Sequence, residues 1–423
     1  MIKLNRCGLF IFLIAVVLMS IPGCGSRNKE TAETITITYA TIESLPTQRK
    51  FIEEIIGEFE KEYPHIKIKM EYLLNPEKVL VEIAGGVAPD VFYWCDLAYL
   101  VKKESIEDLM PWIIRDKIDL EEYFSATIET FKYGGGIYAI PIHFGVNALI
   151  YNKDIFKKAQ SAYPNENWTW DDFLIAARNL TQDSDGDGRI DQYGALIPLF
   201  YNWILMNDGK FFNEEVTKCL LDSPEAVSAI QFVADLNIKY KVSPTLGQWR
   251  AQGQLPLFQT GRIAMTEMGA FMLGELSKIT NFEWDVSPLP IPRGKQRRGI
   301  IVAGGLCISK QSIHKEEAWE FLKFYCGKKG ISILAKARNC VPAIKSIANS
   351  PIFLNPPPNH MGVFLEAADY SVPFPKMERW GDFLNKIYFP EIDEVLLGNK
   401  TAEEVAKSIV RETDKLLTLE RGK

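Results

Sequence analysis

The sequence predicts an α/β protein whose first sheet is parallel, and three observations support this. Apolar residues at Ile35, Ile37 and Tyr39 alternate with polar ones, which is the period of a half-buried strand. Strand and helix patterns then alternate up to residue 94, the order that gives a parallel sheet. Hydrophobic residues make up 47% and charged residues 24% of the 423 residues, the balance of a folded protein rather than a disordered one.

Each element of this first segment has its own signal. Strands show alternation or a short apolar run, and helices show apolar residues at helical spacing that end at Pro64 or at Gly85-Gly86. The predicted order is strand Ile35–Tyr39, helix Phe51–Phe59, strand Ile66–Tyr72, helix Glu77–Ala84 and strand Val91–Trp94.

Later segments continue the mixed pattern. Capping boxes at Thr169 with Asp172 and at Thr401 with Glu404 mark two helix starts. Four prolines make residues 351–360 a predicted loop. The other predicted strands are Tyr138–Ile142, Ala148–Tyr151, Ile263–Thr266 and Ile300–Ile308, and the other predicted helices are Pro224–Tyr240, Lys315–Tyr325 and Ala402–Leu417.

The first 24 residues have the pattern of an export signal. After a short basic start, Leu9–Met19 is an apolar run about half as long as a bilayer-spanning helix. Ile21-Pro22-Gly23-Cys24 then resembles a bacterial lipoprotein box. This implies a signal peptide over residues 1–23, lipid on Cys24 and a polar tether over residues 24–33. Secretion without lipid is the alternative.

Composition excludes several function classes. The formal net charge of −6 argues against a nucleic-acid partner. The four histidines are too far apart for a local zinc pair, and no Gly-rich phosphate loop is present. We therefore expect no cofactor beyond a structural calcium ion. The five cysteines after Cys24 match no disulfide framework; they are Cys95, Cys219, Cys307, Cys326 and Cys340. We expect most of them to be buried thiols, and one disulfide between two of them is left open.

Seven short phrases in order along the chain resemble one family, the extracellular solute-binding protein family 1. These are the sugar-binding lipoproteins of bacterial ABC importers, similar to maltose-binding protein. The phrases are Phe59–Lys67, Ala88–Val91, Ile137–Pro141, Leu149–Phe156, Trp168–Phe173, Phe258–Met265 and Glu317–Leu322.

The resemblance implies a periplasmic-binding-protein type II fold, with two α/β lobes, an interleaved chain and a multi-strand hinge. The first lobe would take residues 34–142 and 300–341, and the second 143–299 and 342–423. It also implies a monomer held by lipid at the extracytoplasmic face of the cell membrane. Its partners would be a carbohydrate between the lobes and the permease subunits of an importer.

In open α/β sheets, ligands bind beyond the carboxyl ends of the strands, and sugars need aromatic faces and planar polar groups. That rule selects loops after the first and third strands and at the lobe crossover. The alternatives are a core tryptophan with a helix-capping aspartate, and a hinge histidine without ligand contact. The candidates from this rule are Thr41, Glu43, Trp94, Asp96, His143 and Asn147.

The second lobe adds further candidates. Trp203 has polar neighbours that favour the cleft over the core. The family places a small-residue turn after the strand at Ile263–Thr266, whose backbone N–H groups meet the ligand; here that turn is Gly269, Ala270 and Phe271. Weaker candidates are Gly304, Arg338, Trp249 and Trp380.

An acidic segment resembles the start of an EF-hand loop. It has carboxylates at loop positions 1, 3, 5 and 9 and glycine at position 6, a pattern that suits a hard cation. The twelfth position is Gly194 rather than glutamate, so a structural calcium site is expected and not a sensor. A solvated acidic turn is the alternative. The candidate ligands are Asp183, Asp185, Asp187 and Asp191.

Three functions therefore compete. The sequence favours a lipid-anchored binding protein that delivers a carbohydrate to an importer. The same fold carrying a polyamine or a peptide is the alternative. A glycosidase is disfavoured, because Glu43 and Asp96 are the only carboxylate pair that suggests itself and nothing in their spacing supports it.

Overall fold

The structure, a computed structural model, describes residues 34–43, 46–73, 75 and 77–421. It is built around two main β-sheets. The predicted signal and the whole predicted tether, with Cys24, lie outside the described residues. The described strands are β1 Ile35–Thr41, β2 Ile66–Tyr72, β3 Val91–Trp94, β4 Lys132–Tyr133, β5 Gly136–Ile137, β6 Ile140–Gly145, β7 Asn147–Asn152, β8 Tyr193–Leu196, β9 Ile263–Gly269, β10 Trp284–Ser287, β11 Gly299–Ile308, β12 Val341–Pro342 and β13 Ser371–Pro373.

Helices connect these strands. They are α1 Pro46–Glu62, α2 Glu77–Ala84, α3 Ala98–Lys102, α4 Met110–Asp116, α5 Ser125–Thr130, α6 Lys153–Lys158, α7 Trp170–Asn179, α8 Tyr201–Met206, α9 Pro224–Ile238, α10 Leu246–Gln252, α11 Gln254–Gln259, α12 Leu273–Leu276, α13 Lys315–Cys326, α14 Lys328–Ala335, α15 Lys345–Ala348, α16 Pro351–Leu354, α17 Gly362–Tyr370, α18 Trp380–Asp382, α19 Phe389–Leu396 and α20 Ala402–Arg421. Leu120–Glu122 and Ala270–Met272 are 3₁₀ turns, and Phe383–Tyr388 is π-helical. Within the described ranges, no helix combines the length and apolar character needed to cross a membrane.

The ends of the helices follow local chemistry. Both predicted capping boxes are confirmed, one at the start of α7 and one at the start of α20. The predicted loop at residues 351–360 is wrong at its beginning, where α16 forms one helical turn. Proline is favoured in the first turn, where its missing N–H costs nothing, and the Ser350 hydroxyl accepts from the Ile352 N–H.

The larger sheet has the strand order β12, β6, β11, β3, β1, β2, with β13 added against β11. Strand β1 is parallel to both β2 and β3, which confirms the predicted β-α-β-α-β segment. Strand β11 runs antiparallel to β3 and β6, so later parts of the chain make the sheet mixed.

The smaller sheet has the order β10, β7, β9, β8. The chain passes from β6 in the larger sheet to β7 in the smaller one through Val146 alone. The predicted loop from His143 to Asn147 is therefore wrong. Pairing with β11 and β12 keeps His143 inside β6, and Asn147 is the first residue of β7.

Close packing explains the glycine pair in β11. A Cβ on Gly304 would lie 2.2 Å from the Tyr93 hydroxyl, and one on Gly305 would lie 2.8 Å from the Ile140 carbonyl oxygen. The register with β6 also shifts between these two glycines. Gly304 is thus a packing requirement inside the sheet, and its role as a ligand residue stays a prediction.

Each sheet has its own aromatic core. Beside the larger sheet, the Phe321 ring meets Tyr39 and Phe59 edge-on, with centroids 5.4 and 5.1 Å away. Beside the smaller sheet, Trp203 stacks on Phe232 at 5.7 Å. Such pairs add about 0.5–1.5 kcal/mol beyond burial of their area. These cores hold the strand ends that carry the candidate site.

The residue boundaries of the two predicted lobes remain a prediction. Before Val146, β1, β2, β3 and β6 belong to the larger sheet and β4 pairs only with β5, while the smaller sheet takes β7 to β10, in outline as expected. Strand β13 pairs with β11 of the larger sheet, although residues 342–423 were assigned to the second lobe. The last third of the chain therefore contributes to both sheets.

Candidate functional site

Two adjoining cavities lie at the carboxyl end of β3, where the strand-end rule places a ligand. The larger, of about 530 Å³, is lined among others by Ile42, Tyr93, Trp94, Asp96, Tyr99, Glu378, Arg379, Trp380 and Asp382. The smaller, of about 170 Å³, is lined among others by Asp96, Tyr133, Ile301, Val302, Ala303, Phe374, Lys376 and Trp380. Asp96 and Trp380 line both, so the two form one recess.

Trp94 and Asp96, which the sequence paired, are neighbours at this recess. The Trp94 indole N–H donates to the Asp96 carbonyl oxygen at 2.6 Å, and the Asp96 side chain accepts from the Ala98 N–H at 3.2 Å. Asp96 therefore binds the start of α3 and lines the recess at once. The first bond fixes the plane of the Trp94 ring, and Phe92 supports it edge-on at 6.1 Å.

Trp380 supplies a second indole from a distant part of the chain. It is 6% exposed and packs on Phe374 and Phe383, with centroids 4.7 and 5.1 Å away. The sequence offered only its residue type. Tyr99, Tyr133 and other lining residues were missed altogether, because no local pattern separates them from core or surface aromatics.

Charged side chains of both signs lie at the recess, and acidic groups pair with basic ones. Glu378 pairs with Lys102 of α3, and Arg379 pairs with Asp382 at 2.6 Å. Lys376 donates to the Lys132 carbonyl oxygen, and burial lowers its pKa. The recess therefore carries no strong field of one sign.

Glu43 and His143 line a separate, smaller cavity beside α14, and Thr41 is bonded to Glu43. The Glu43 carboxylate contacts the His143 Nε2 at 2.9 Å, and the Thr41 hydroxyl accepts from the Glu43 N–H at 3.1 Å. This cavity of about 20 Å³ has room for one water molecule. Among the described residues, Glu43 Oε2 and Asn339 Nδ2 are buried there without a hydrogen-bond partner.

The buried pair determines the charge of the histidine. Burial disfavours the imidazolium, but the Cys340 thiol and the Glu43 carboxylate favour it, and together they raise the pKa of His143 well above its ordinary value. Burial also raises the pKa of the nearby Cys95 thiol to about 11. The cavity thus brings together the Glu43 carboxyl group, the Cys340 thiol and a histidine whose pKa is raised. In the described chain, Cys95, Cys219, Cys307, Cys326 and Cys340 are all free.

The candidate turn of the smaller sheet behaves differently from expectation. The Ala270 N–H donates to the Val146 carbonyl oxygen at 3.0 Å, so this one N–H is not available to a ligand, while the roles of Gly269 and Phe271 stay predictions. Phe271 is 56% exposed and folds over Gly269, where a Cβ would lie 2.2 Å from its ring. Asn147 sits beside this turn and donates to Glu267 at 2.7 Å.

Three other candidates lie away from the recess. Trp203 is fully buried, and its indole N–H donates to Glu267 at 2.8 Å; the predicted cleft position is wrong because its polar neighbours form an internal network. Trp249 packs against Leu196, Leu257 and Ile263. Arg338, at a φ of 51°, donates to the Pro357 carbonyl oxygen at 2.6 Å.

The acidic loop is exposed and pre-shaped. Side-chain oxygens of Asp183, Asp185 and Asp187 lie within 4.8 Å of one another. Asp183 accepts from the N–H groups of Gly186 and Gly188, both at positive φ. Asp191 is outside this group and accepts from the Ser184 N–H at 2.8 Å. The three converging carboxylates are oxygen ligands of the kind that calcium prefers.

Comparisons with known proteins agree with this architecture. The sequence profile of the family described as bacterial extracellular solute-binding protein matches residues 44–331. An arabinooligosaccharide-binding protein of Bacillus subtilis is 24% identical over 345 residues, 77% of each chain. A maltotriose-binding protein of Pyrococcus abyssi is 24% identical over 370 residues, 85% of this chain and 77% of the relative.

Solved structures show the same fold. An ABC substrate-binding protein of Listeria monocytogenes in complex with cycloalternan superposes with a TM-score of 0.81 at 27% identity, over 92% of this chain and 100% of that one. A maltose-bound T. maritima protein gives 0.76 at 22% identity, over 90% of this chain and 100% of that one. The predicted fold class, two α/β lobes of the periplasmic-binding type, is confirmed.

We predict that His143→Gln removes a pH-dependent part of the stability. The folded-state pKa is raised, so the protonated histidine stabilises the fold fully below about pH 6.5, and this contribution is lost as the pH rises through the raised value. The difference in free energy of unfolding between parent and variant, measured in urea, should be largest near pH 6 and shrink toward alkaline pH. His65→Gln, at an exposed histidine, is the control. A difference that does not change with pH would refute the charged pair.

Proposed function

We propose that this chain, which belongs to the bacterial extracellular solute-binding protein family, captures an uncharged oligosaccharide and delivers it to an ABC importer. The observation that carries the proposal is the recess in which Trp94 and Trp380 share a wall. Aromatic faces pack against the C–H faces of sugar rings, and Asp96 supplies an acceptor for hydroxyl groups. The carbohydrate ligands named for its relatives support the same solute class.

The size and charge of the recess favour a neutral solute. Its two parts, of about 530 and 170 Å³, fall within or near the roughly 300–1,000 Å³ typical of small-molecule sites. Arg379 and Lys376 stand against Asp96, Glu378 and Asp382, and Lys102 pairs with Glu378 at the rim. A polyamine would gain little from such a balanced site.

We infer a binding protein rather than an enzyme. Glu43 contacts His143 at the small cavity beside α14, whereas Asp96 lines the aromatic recess. The two carboxylates that a glycosidase would use do not line a common space. Release of reducing ends from an oligosaccharide by the purified protein would contradict this inference.

The solute class is tested by thermal shift of the soluble chain that lacks residues 1–24. We expect at least one oligosaccharide to raise the melting temperature, because a solute that binds only the native state stabilises it. The panel is arabinotriose, maltotriose, raffinose, mannotriose and cycloalternan, with spermidine and a tripeptide as charged and peptide probes. Shifts from the last two alone would overturn the assignment.

We predict that Trp94→Ala weakens the sugar found in that panel by about 1–3 kcal/mol, the range measured when bases stack on aromatic side chains. Titration calorimetry at constant temperature gives the affinity. Trp249→Ala is the matched control, because Trp249 packs in a separate cluster. Equal affinities for parent and Trp94→Ala would remove Trp94 from the site.

We propose anchoring of the mature chain by lipid on Cys24 at the extracytoplasmic face of the cell membrane. Two or more acyl chains hold a protein that a single chain binds only marginally. Cys24→Ser should therefore move the protein from the membrane fraction to the soluble fraction, as followed by immunoblot. Cys95→Ser, at a cysteine within the folded lobe, should stay with the membranes. A Cys24→Ser variant that still sediments with membranes would refute lipidation.

We propose that Asp183, Asp185 and Asp187 hold a structural calcium ion, which would neutralise their mutual repulsion. The melting temperature should then fall when calcium is replaced by chelator, and Asp185→Asn should abolish that difference. Asp222→Asn, an exposed aspartate elsewhere, should retain it. Sugar affinity should change little. The same melting temperature with calcium and with chelator would leave only a solvated acidic turn.

A further inference from the structure

A buried carboxylate that the sequence analysis did not single out lies behind the wall of the recess. Glu267 in β9 is fully buried. Its Oε1 accepts from the side-chain amides of Asn147 at 2.7 Å and Asn202 at 2.6 Å, and its Oε2 accepts from the Trp203 indole at 2.8 Å. All three donors are neutral, so no cation among them offsets the buried charge.

Burying a carboxylate costs free energy unless its oxygens accept hydrogen bonds. Burial raises the pKa of Glu267, and the three donors from Asn147, Asn202 and Trp203 oppose that rise. An apolar residue would avoid the cost, and a glutamine would offer one acceptor oxygen instead of two. Only a carboxylate accepts on both oxygens. With both oxygens as acceptors, Glu267 binds three donors from two other elements, β7 and α8.

One of those donors connects the carboxylate to the recess. The Asn202 side-chain oxygen accepts from the Ile300 N–H at 2.9 Å, which ties α8 to β11. The next residues of β11, Ile301–Ala303, line the recess. Strand β13 pairs with Gly299–Ile301 and leads into Phe374–Lys376, which also line the recess.

A second donor lies where the chain crosses between the sheets. Asn147 is the first residue of β7, directly after Val146. A Cβ on Gly269 would lie 3.0 Å from the Asn147 side-chain oxygen and 2.2 Å from the Phe271 ring, so the amide is packed beside this exposed ring. Glu267 thus orients a polar side chain at the crossover as well as the wall of the recess.

We propose that Glu267 is a positioning residue for solute capture, which holds the β11 and β13 wall through Asn202 and orients Asn147 at the crossover. The inference rests on the proposed function for the nature of the solute. It predicts which substitutions loosen the wall and which do not.

The test compares three variants in the full mature chain, each titrated with the panel sugar that gives the largest thermal shift. Glu267→Gln, which turns one acceptor into a donor, should weaken binding about tenfold. Asn202→Ala, which removes the link to Ile300, should weaken it by a similar factor. Trp203→Phe removes the bond to Oε2 and part of the buried indole packing, but it leaves the Asn202–Ile300 link, so it should lower the melting temperature and still bind nearly as the parent does. Glu214→Gln, at an exposed turn, is the control for loss of a carboxylate.

The pH dependence separates positioning from a general loss of stability. As the pH falls through the raised pKa of Glu267, the parent gains a proton there and comes to resemble Glu267→Gln. The ratio of their affinities should therefore approach one at low pH. The titratable groups that face Glu267 are Tyr201 of α8 and Tyr388 of the π-helix; burial raises the pKa of both, so they stay neutral throughout. The groups from β7 and α11 are the neutral amides of Asn147 and Gln254.

A sugar-free measurement makes the outcome independent of the solute. Amide hydrogen exchange at residues 300–302 should quicken in Glu267→Gln and Asn202→Ala but not in Trp203→Phe. Parent-like affinity and exchange in the first two variants, or an equal loss in Trp203→Phe, would overturn the inference. If no panel sugar binds the parent, the proposed solute class fails, while the exchange pattern still decides whether Glu267 holds the wall.

Discussion

The pairing of β11 with three other strands is the constraint on which the rest of the site depends. Along ten residues this strand pairs with β6, β3 and β13. Gly304 and Gly305 allow the close approach of Tyr93 and Ile140 that this crowding requires. The recess opens where β11 leaves β3, so its wall is only as fixed as the hydrogen bonds that hold the first residues of β11.

Local pattern was enough to predict the first half of the larger sheet. Alternation and helical spacing indicated β1 to β3, and the strand-end rule then led to Trp94 and Asp96, which do lie together. These predictions succeeded because each depends on residues close in sequence. Trp380 could not be predicted in this way, since it reaches the recess from almost 300 residues away through a strand, β13, whose three residues carry no periodic signal.

The same limit explains the failed predictions for Trp203 and for the His143–Asn147 loop. Polar neighbours of Trp203 suggested the cleft, but Asn202 is polar because it serves Glu267, 65 residues away. His143 lies between two predicted strands, which suggests a loop, yet pairing with β12, almost 200 residues later, keeps it in β6. In both cases a polar side chain forms a long-range hydrogen bond to a buried acid, Asn202 to Glu267 and His143 to Glu43, which no local pattern indicates.

The two buried acids are compensated by different means, and this bears on what the recess can recognise. Glu43 meets a histidine whose pKa it raises, whereas Glu267 meets only neutral donors. Neither lines the aromatic recess, so their charges act on the scaffold and not on a solute. The groups that do face the recess are indole rings and charges of both signs with partners nearby. A solute that matches such a surface gains from contact with rings and from hydrogen bonds whose geometry is fixed in advance, because the ordering cost of the wall has been met by the fold rather than at binding. A neutral, rigid, polyhydroxylated ring offers both a flat face for contact with the indole rings and hydroxyl groups at fixed positions, whereas a flexible ion offers neither.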